Sequence, residues 1–329
     1  MAHILVTGGA GYIGSHACKA LKQAGFTPVV YDNLVTGWKD AVKFGPFEQG
    51  DLTDRTRLDR VFAKYQPVAV MHFAALSQVG EAMSQPGRYW ANNVGGSLTL
   101  IEASVAAGCL DFVFSSTCAT YGEHDNVVLD EDTPQLPLNA YGASKRAVED
   151  ILKDFETAYG LRSVIFRYFN VAGADIESRL GQATPEATHL IKVACECVTG
   201  AREGMMIFGT DYETRDGTCI RDYIHVDDLA KAHVMALDYM SKGGESDILN
   251  CGYGRGFTVQ EVIDAVKEHS GKDFPAENVE RRPGDPDALM ANNAKIKRVL
   301  GWEPDYDDLG VIVKSALDWE AVWQERQKG

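Results

Sequence analysis

The stretch from His3 to Gly14 constrains the fold more than any other part of this 329-residue chain. His3-Ile4-Leu5-Val6-Thr7 is a short β-branched and apolar run, the pattern of a strand buried in a parallel sheet. Gly8, Gly11 and Gly14 follow as G-x-x-G-x-x-G, and a helical stretch continues to about Ala24. Glycines at this spacing permit a tight turn, let the backbone approach a pyrophosphate and let the helix lie close on its strand. The helix N-terminus then offers its unpartnered N–H groups to phosphate. A second strand, Pro28 to Tyr31, ends at Asp32, 18 positions beyond Gly14. An acidic residue near that place reaches the ribose hydroxyls of a dinucleotide. Its carboxylate repels a 2′-phosphate, so NAD is expected and NADP is not.

Strand and helix patterns go on alternating through the first half, which predicts an α/β fold with a Rossmann-like, doubly wound parallel sheet. A short strand ends near Gly50-Asp51-Leu52, a helix covers about Asp54–Lys64, and Val68–Phe73 is a strand. Pro86 opens a long helix through Ala107, and Asp111–Phe114 is a strand. The polar, proline-containing stretch Tyr121–Leu138 reads as a loop. Asn139 caps a helix to about Tyr159, whose Ala147, Val148, Ile151, Leu152 and Phe155 form one apolar stripe. Ser163–Phe166 is a further strand. Beyond about Val171 the alternation loosens. The expected organisation is a dinucleotide-binding domain over 1–170, with a return segment near 213–240, and a smaller C-terminal α/β lobe over 171–329.

Composition narrows the partners. A net charge of −15 argues against nucleic acid and anionic membranes, so an anionic substrate must be held by local arginines and backbone N–H groups. Seven scattered cysteines fit reduced thiols better than a disulfide framework. Cys195 and Cys197 lie two apart in a stretch of helical pattern, where they do not share a face, so no metal site is expected. No apolar stretch reaches membrane-spanning length, and the first strand leaves no room for a signal peptide. A cytoplasmic enzyme is expected.

The strand ends carry the chemistry, as in open α/β sheets generally. Phe73-Ala74-Ala75 closes one strand with small residues past which a flat cofactor could run. Ser115-Ser116-Thr117 closes the next and leaves a hydroxyl at Thr117, though a turn of small polar residues would look the same. Tyr141-Gly142-Ala143-Ser144-Lys145 then sets a phenol and an ammonium four apart on one helix face. A nearby ammonium favours phenolate and lowers the phenol pKa from about 10 towards neutrality. Such a group suits taking a hydroxyl proton while a nicotinamide takes a hydride. Alone the spacing describes a solvated surface pair as well; the glycine loop upstream favours redox chemistry at a sugar or alcohol carbon.

Over essentially its whole length the chain resembles the extended short-chain dehydrogenase/reductase family, and within it enzymes that epimerise nucleotide sugars. The resemblance is carried by Gly8–Gly14, His72-Phe73-Ala74-Ala75, Tyr141–Lys145, Arg167-Tyr168-Phe169-Asn170, the block Asp216–Val226 and Arg281-Arg282-Pro283-Gly284-Asp285. It implies tightly bound NAD, held by Gly8, Gly11, Tyr12, Ile13 and Gly14, with Asp32 and Asn33 at the ribose and Asp51 and Leu52 beside the adenine. Phe73, Ala74, Ala75, Asn92, Tyr168, Tyr141 and Lys145 would complete the cofactor site. It implies reversible interconversion of UDP-galactose and UDP-glucose: Tyr141 removes the 4-hydroxyl proton, Thr117 assists, and a 4-keto sugar turns over before hydride returns. Asn170, Arg221 and Arg282 would hold the diphosphate, His189, Leu190 and Phe208 the uracil, and Asp285 the uridine ribose. Tyr223 and Leu289 would complete the substrate site. A homodimer through the helices near Pro86–Ala107 and Asn139–Tyr159 is implied as well.

The chain departs from the family pattern in three places. Thr117 stands where serine is frequent, Ser77 where some members carry a cofactor-contacting lysine, and Leu289 where the family tunes its sugar pocket. A bulky residue at the last position predicts preference for UDP-glucose and UDP-galactose over N-acetylated sugars. A nucleotide-sugar 4,6-dehydratase needs an acid and a base after the threonine, where this chain has Cys118 and Ala119. UDP-glucuronate decarboxylation also wants an acidic residue there. Epimerisation of UDP-xylose and UDP-arabinose stays open. A non-enzymatic NAD-sensing protein would be expected to lack the Tyr141–Lys145 pair.

Overall fold

The structure is a computed structural model that describes residues 1–124, 128–282 and 286–328. Seven strands form one parallel sheet: β1 His3–Thr7, β2 Thr27–Asp32, β3 Phe47–Gln49, β4 Ala69–His72, β5 Asp111–Ser115, β6 Arg162–Tyr168 and β7 Asp247–Cys251. Their spatial order is β7-β6-β5-β4-β1-β2-β3. The order reverses between β1 and β4, the switch point at which ligands of such sheets bind. This is the doubly wound Rossmann-like sheet that the alternation predicts.

Side chains alternate across the strands, so β1 sends Ile4 and Val6 to one face and Leu5 to the other. Helix α1 (Tyr12–Gln23) covers the first face through Ala17, Cys18 and Leu21, beside helix Val226–Ser241 with Leu229, Ala232 and Ala236. On the second face lie α2 (Arg55–Tyr65), α3 (Gly96–Ala106) and α4 (Ala140–Tyr159), the last through Val148 and Leu152 of its apolar stripe. Each buried aliphatic side chain there contributes on the order of 1.5–3 kcal/mol.

The chain departs from the sequence reading in its connections. Segment 226–241 covers a face of the sheet, whereas the strand that re-enters it is β7, further along the chain. The expected Pro86–Ala107 helix is interrupted by a π-helical turn at Trp90–Gly95, and a separate helix, Val79–Ser84, precedes it. That turn carries Asn93, whose amide bonds the Leu76 backbone at both ends, Oδ1 at 2.9 Å and Nδ2 at 3.0 Å, and also donates to Ser144. Such local widening lets a helical side chain reach groups that a regular helix would not. The Tyr121–Leu138 loop contains a short strand, Val128–Leu129, which pairs with Ala288–Ala291. Ile220–Arg221 and Phe257–Thr258 complete that small sheet.

Candidate active site

The glycine loop is shaped by contacts that exclude a side chain. Gly8 has φ +72°, and a Cβ there would lie 2.6 Å from the Ala74 nitrogen. A Cβ on Gly14 would lie 2.2 Å from the Gly8 carbonyl oxygen, so only glycine lets α1 approach its strand this closely. Gly11 caps α1 in extended conformation and donates to the Gly8 oxygen at 3.0 Å. The N–H groups of Tyr12, Ile13 and Gly14 form the helix's first turn, which has no intrahelical acceptors. A cradle of this shape fits a pyrophosphate.

The side chains of Tyr12 and Ile13 are engaged elsewhere. Tyr12 donates to the Gly173 oxygen at 2.6 Å, and Ile13 packs against the core. What this turn offers a ligand is therefore backbone. Asp32 stands at the end of β2, buried, accepting from Ala10 N at 3.0 Å and Leu34 N at 2.8 Å. Burial raises its pKa while those two N–H groups oppose the rise. Asp51 accepts from Thr53 N at 3.0 Å and from Asn33 Nδ2 at 2.9 Å, which together hold its carboxyl below the ordinary range. Leu52 is buried under Gly96, where a Cβ would sit 2.9 Å away. Phe73 tilts onto His233 at 4.8 Å, Ala74 and Ala75 follow it, and Asn92 donates to Asn93 at 2.9 Å. These residues line the C-terminal edge of β1, β2 and β4.

Tyr141, Thr117 and Lys145 converge at the end of β5. Asn139 caps α4 by accepting from Gly142 N at 2.9 Å. Gly142 then passes so near the turn after Thr117 that a Cβ would meet the Ala119 oxygen at 2.3 Å. This contact seats Tyr141 against Thr117, whose hydroxyl favours the ionised form of the phenol. One turn on, Lys145 donates to the Ser115 carbonyl at 2.7 Å and lies over the Phe114 ring. Tyr168 is hydrogen bonded to the Ser115 hydroxyl.

The electrostatics correct the expectation of a phenolate set by Lys145. Burial pushes the Tyr141 phenol well up, with Tyr168, Cys118 and Tyr89 adding to the rise and the Thr117 hydroxyl opposing it. Burial also lowers Lys145 to about 7, with Glu149 acting against the fall. In a buried pair, loss of hydration outweighs the attraction that a surface pair would show.

The substrate candidates fall into three groups. Asn170, His189, Leu190 and Tyr223 line one open cavity of about 520 Å³ together with Gln182 and Trp319. His189 is bonded to Gln182 at 2.8 Å, and burial lowers its pKa. Arg282 stacks on Phe208, its guanidinium carbon 3.8 Å from the ring centre. Arg221 donates to the carbonyls of Ile220 at 2.6 Å and Pro286 at 2.8 Å, near enough to Cys118 to lower that thiol's pKa against the stronger effect of burial. Leu289 packs in a small cluster with Cys118, Tyr121 and Phe169. Asp285 lies outside the described residues.

A buried network lies behind the trio, and no motif in the sequence marks it as a network. Ser116, Glu149, Arg167, Tyr121 and Asn250 are joined there by hydrogen bonds. Glu149 stands four residues after Lys145 on the same helix face, a spacing that the sequence displays. Arg167 is legible only as part of a motif, because its partner arrives from another element.

The protein has a doubly wound α/β fold with Tyr141, Lys145 and Thr117 gathered at the end of β5, and it belongs to the NAD dependent epimerase/dehydratase family, whose model matches residues 4–252. Among its relatives, the UDP-glucose 4-epimerase of Rhizobium meliloti (strain 1021) is 54% identical over 319 residues, covering 97% of each chain. The crystal structure of UDP-glucose 4-epimerase from Brucella ovis in complex with NAD superposes with a TM-score of 0.95 at 44% identity, over 97% of this chain and 98% of that one. That of UDP-glucose 4-epimerase from Stenotrophomonas maltophila, with bound NAD and formylated UDP-arabinopyranose, superposes at 0.95 with 35% identity, over 99% and 100%. No helix among the described residues is long and apolar enough to cross a membrane.

Proposed function

We propose that this chain interconverts UDP-galactose and UDP-glucose, oxidising the sugar transiently at carbon 4 and reducing it again from the other face. The observation that carries the reading is the convergence of three side chains at the end of β5: Tyr141 next to Thr117, with Lys145 anchored on the Ser115 carbonyl at 2.7 Å. Relatives at 54% identity and a 0.95 superposition over nearly the whole chain support it.

NAD fits the site, and when bound it supplies a hydride acceptor, then a hydride donor, together with the positive charge of its oxidised ring. Gly8, Gly11 and the N–H groups of Tyr12, Ile13 and Gly14 would hold its pyrophosphate, and Asp32 its ribose. Asn33, Asp51, Leu52, Phe73, Ala74, Ala75, Asn92 and Tyr168 would surround the rest. Tyr141 takes the 4-hydroxyl proton at Oη and later returns it; Thr117 keeps the reacting oxygens hydrogen bonded. Because burial holds the phenol protonated, its phenolate requires positive charge close by, within a few ångströms. Lys145 is one such charge and orients the pair.

Inversion asks for a firmly held nucleotide and a loosely held sugar. Arg221, Arg282 and Asn170 would grip the diphosphate, as guanidinium groups do in bidentate fashion. Leu190, His189 and Phe208 would wall the uracil, Asp285 would take the uridine ribose, Tyr223 would border the diphosphate, and Leu289 would limit the sugar pocket. A dehydratase is disfavoured because Cys118 follows Thr117 and burial pushes its thiol up to about 12, too high for proton transfer at neutral pH. Epimerisation of UDP-arabinose is the second reading, favoured by the neighbour that holds a UDP-arabinopyranose derivative.

We also place the protein in the cytoplasm and as a homodimer. Trp90 and Tyr159, exposed on the two helical segments named for the contact, support the latter. The test of function is direct. Purified protein given UDP-galactose without added NAD yields UDP-glucose, and denaturation releases NAD. A 4-keto-6-deoxy sugar as the product would overturn the reading.

A further inference from the structure

Glu149 is almost fully buried on α4 and forms an ion pair with Arg167, itself buried on β6, at 2.6 Å. Its Oε1 also accepts from the Ser116 hydroxyl at 2.5 Å and its Oε2 from Gln135 at 2.9 Å. Ser116 lies between Ser115, whose carbonyl receives Lys145 at 2.7 Å, and Thr117, whose hydroxyl acts on the Tyr141 phenol. Arg167 extends the network to Tyr121 at 3.2 Å, which donates to Asn250 at 2.6 Å. One carboxylate thus ties the end of β5 to the helix that carries the tyrosine and lysine.

Resting on the epimerase reading, we propose that Glu149 is a positioning residue for this reaction: through Ser116 it fixes the strand end that aligns Lys145 and Thr117 with Tyr141, and its charge keeps Lys145 an ammonium. Lys145 meets Glu149 from its own helix, the Phe114 ring from β5 and His72 from β4. Of the titratable groups among these, Glu149 is the one that favours the charged amine, since burial and the neutral His72 do not.

Two variants separate these roles in the cofactor-bound protein. Ser116→Ala leaves the ion pair intact and is expected to lower kcat about tenfold with KM for UDP-galactose changed less than about twofold. Glu149→Gln is expected to move the alkaline limb of the kcat/KM profile down by about one pH unit, as the amine loses its proton earlier. An alkaline limb unmoved in folded Glu149→Gln overturns the proposal. If that variant does not fold, wild-type kcat in Ser116→Ala overturns it. Should the wild type prove inert towards UDP-galactose, the functional reading fails. Lys145 is then titrated directly by the ¹³C signal of its ε-carbon, assigned with Lys145→Met. A midpoint equal in wild type and folded Glu149→Gln overturns the proposal independently of activity; a lower one in the variant sustains it.

Discussion

Tyr141 lies in the first turn of α4 within reach of Tyr168, Cys118 and Tyr89, and burial keeps its proton in place. A phenol in that setting is a base only while positive charge stands beside it. On the proposed mechanism Tyr141→Phe removes the proton acceptor with little change of shape, so kcat should fall by about 10³-fold while UDP affinity, measured by calorimetry, is retained. Wild-type turnover would remove Tyr141 from the mechanism. Leu289 makes the second residue-scale prediction. It packs in the cluster of Cys118 and Phe169, and on the proposed role it would leave little room for an acetamido group at the sugar. UDP-N-acetylgalactosamine should be turned over about 100-fold less efficiently than UDP-galactose, and Leu289→Ala should narrow the gap. Comparable kcat/KM on the two substrates would refute this. At this scale the sequence disclosed the groups but misjudged their ionisation, since burial is a property of the fold.

Among the elements, α4 shows how local rules aim a site. Asn139 caps it and Gly142 permits its close approach to Ala119. Asn139→Ala should cost about 1 kcal/mol of stability, read from the urea midpoint, with little change in kcat. Gly142→Ala would force the helix off the 117–119 turn and part Tyr141 from Thr117. Its kcat should drop about 100-fold with a folded circular dichroism spectrum, because a displacement near 1 Å costs about that much. An unchanged kcat would show that the turn yields instead. The cap was readable from the pattern before the apolar stripe. The Gly142 contact was not, because Ala119 comes from a different element. The π-turn was equally hidden: Asn93 gains its partners, Leu76 and Ser144, only when the chain folds back.

For the whole molecule, acid stability follows from its buried histidines and aspartates. Burial lowers His225 and His233 to about 4. The unfolded chain binds protons at these groups from about pH 6.5, so between pH 6.5 and 4 it holds more protons than the folded one. Stability therefore falls as pH falls across that window, by about 1–3 kcal/mol for each histidine. Asp227 behaves differently. Burial works to raise it, but His16 and Lys19 hold it at about 2. Its contribution is present above its ordinary value and is lost as pH falls through about 2. Asp222, which burial raises to about 6, works the other way across much of the first window. The histidine contribution is therefore read by comparison: urea midpoints should fall less between pH 6.5 and 4 in His233→Phe than in the wild type, and an equal fall in both would refute it. By itself the sequence determined the glycine cradle, the acidic end of β2, the alternation that makes a parallel sheet, and the Tyr141–Lys145 spacing. These are local, governed by backbone freedom and side-chain periodicity. Only the tertiary structure decided that 247–251 is the seventh strand, that Glu149 meets Arg167 behind Ser116, and that Tyr141 keeps its proton. Strand order, long-range pairing and dehydration depend on which distant segments meet, and no short stretch of chain encodes that.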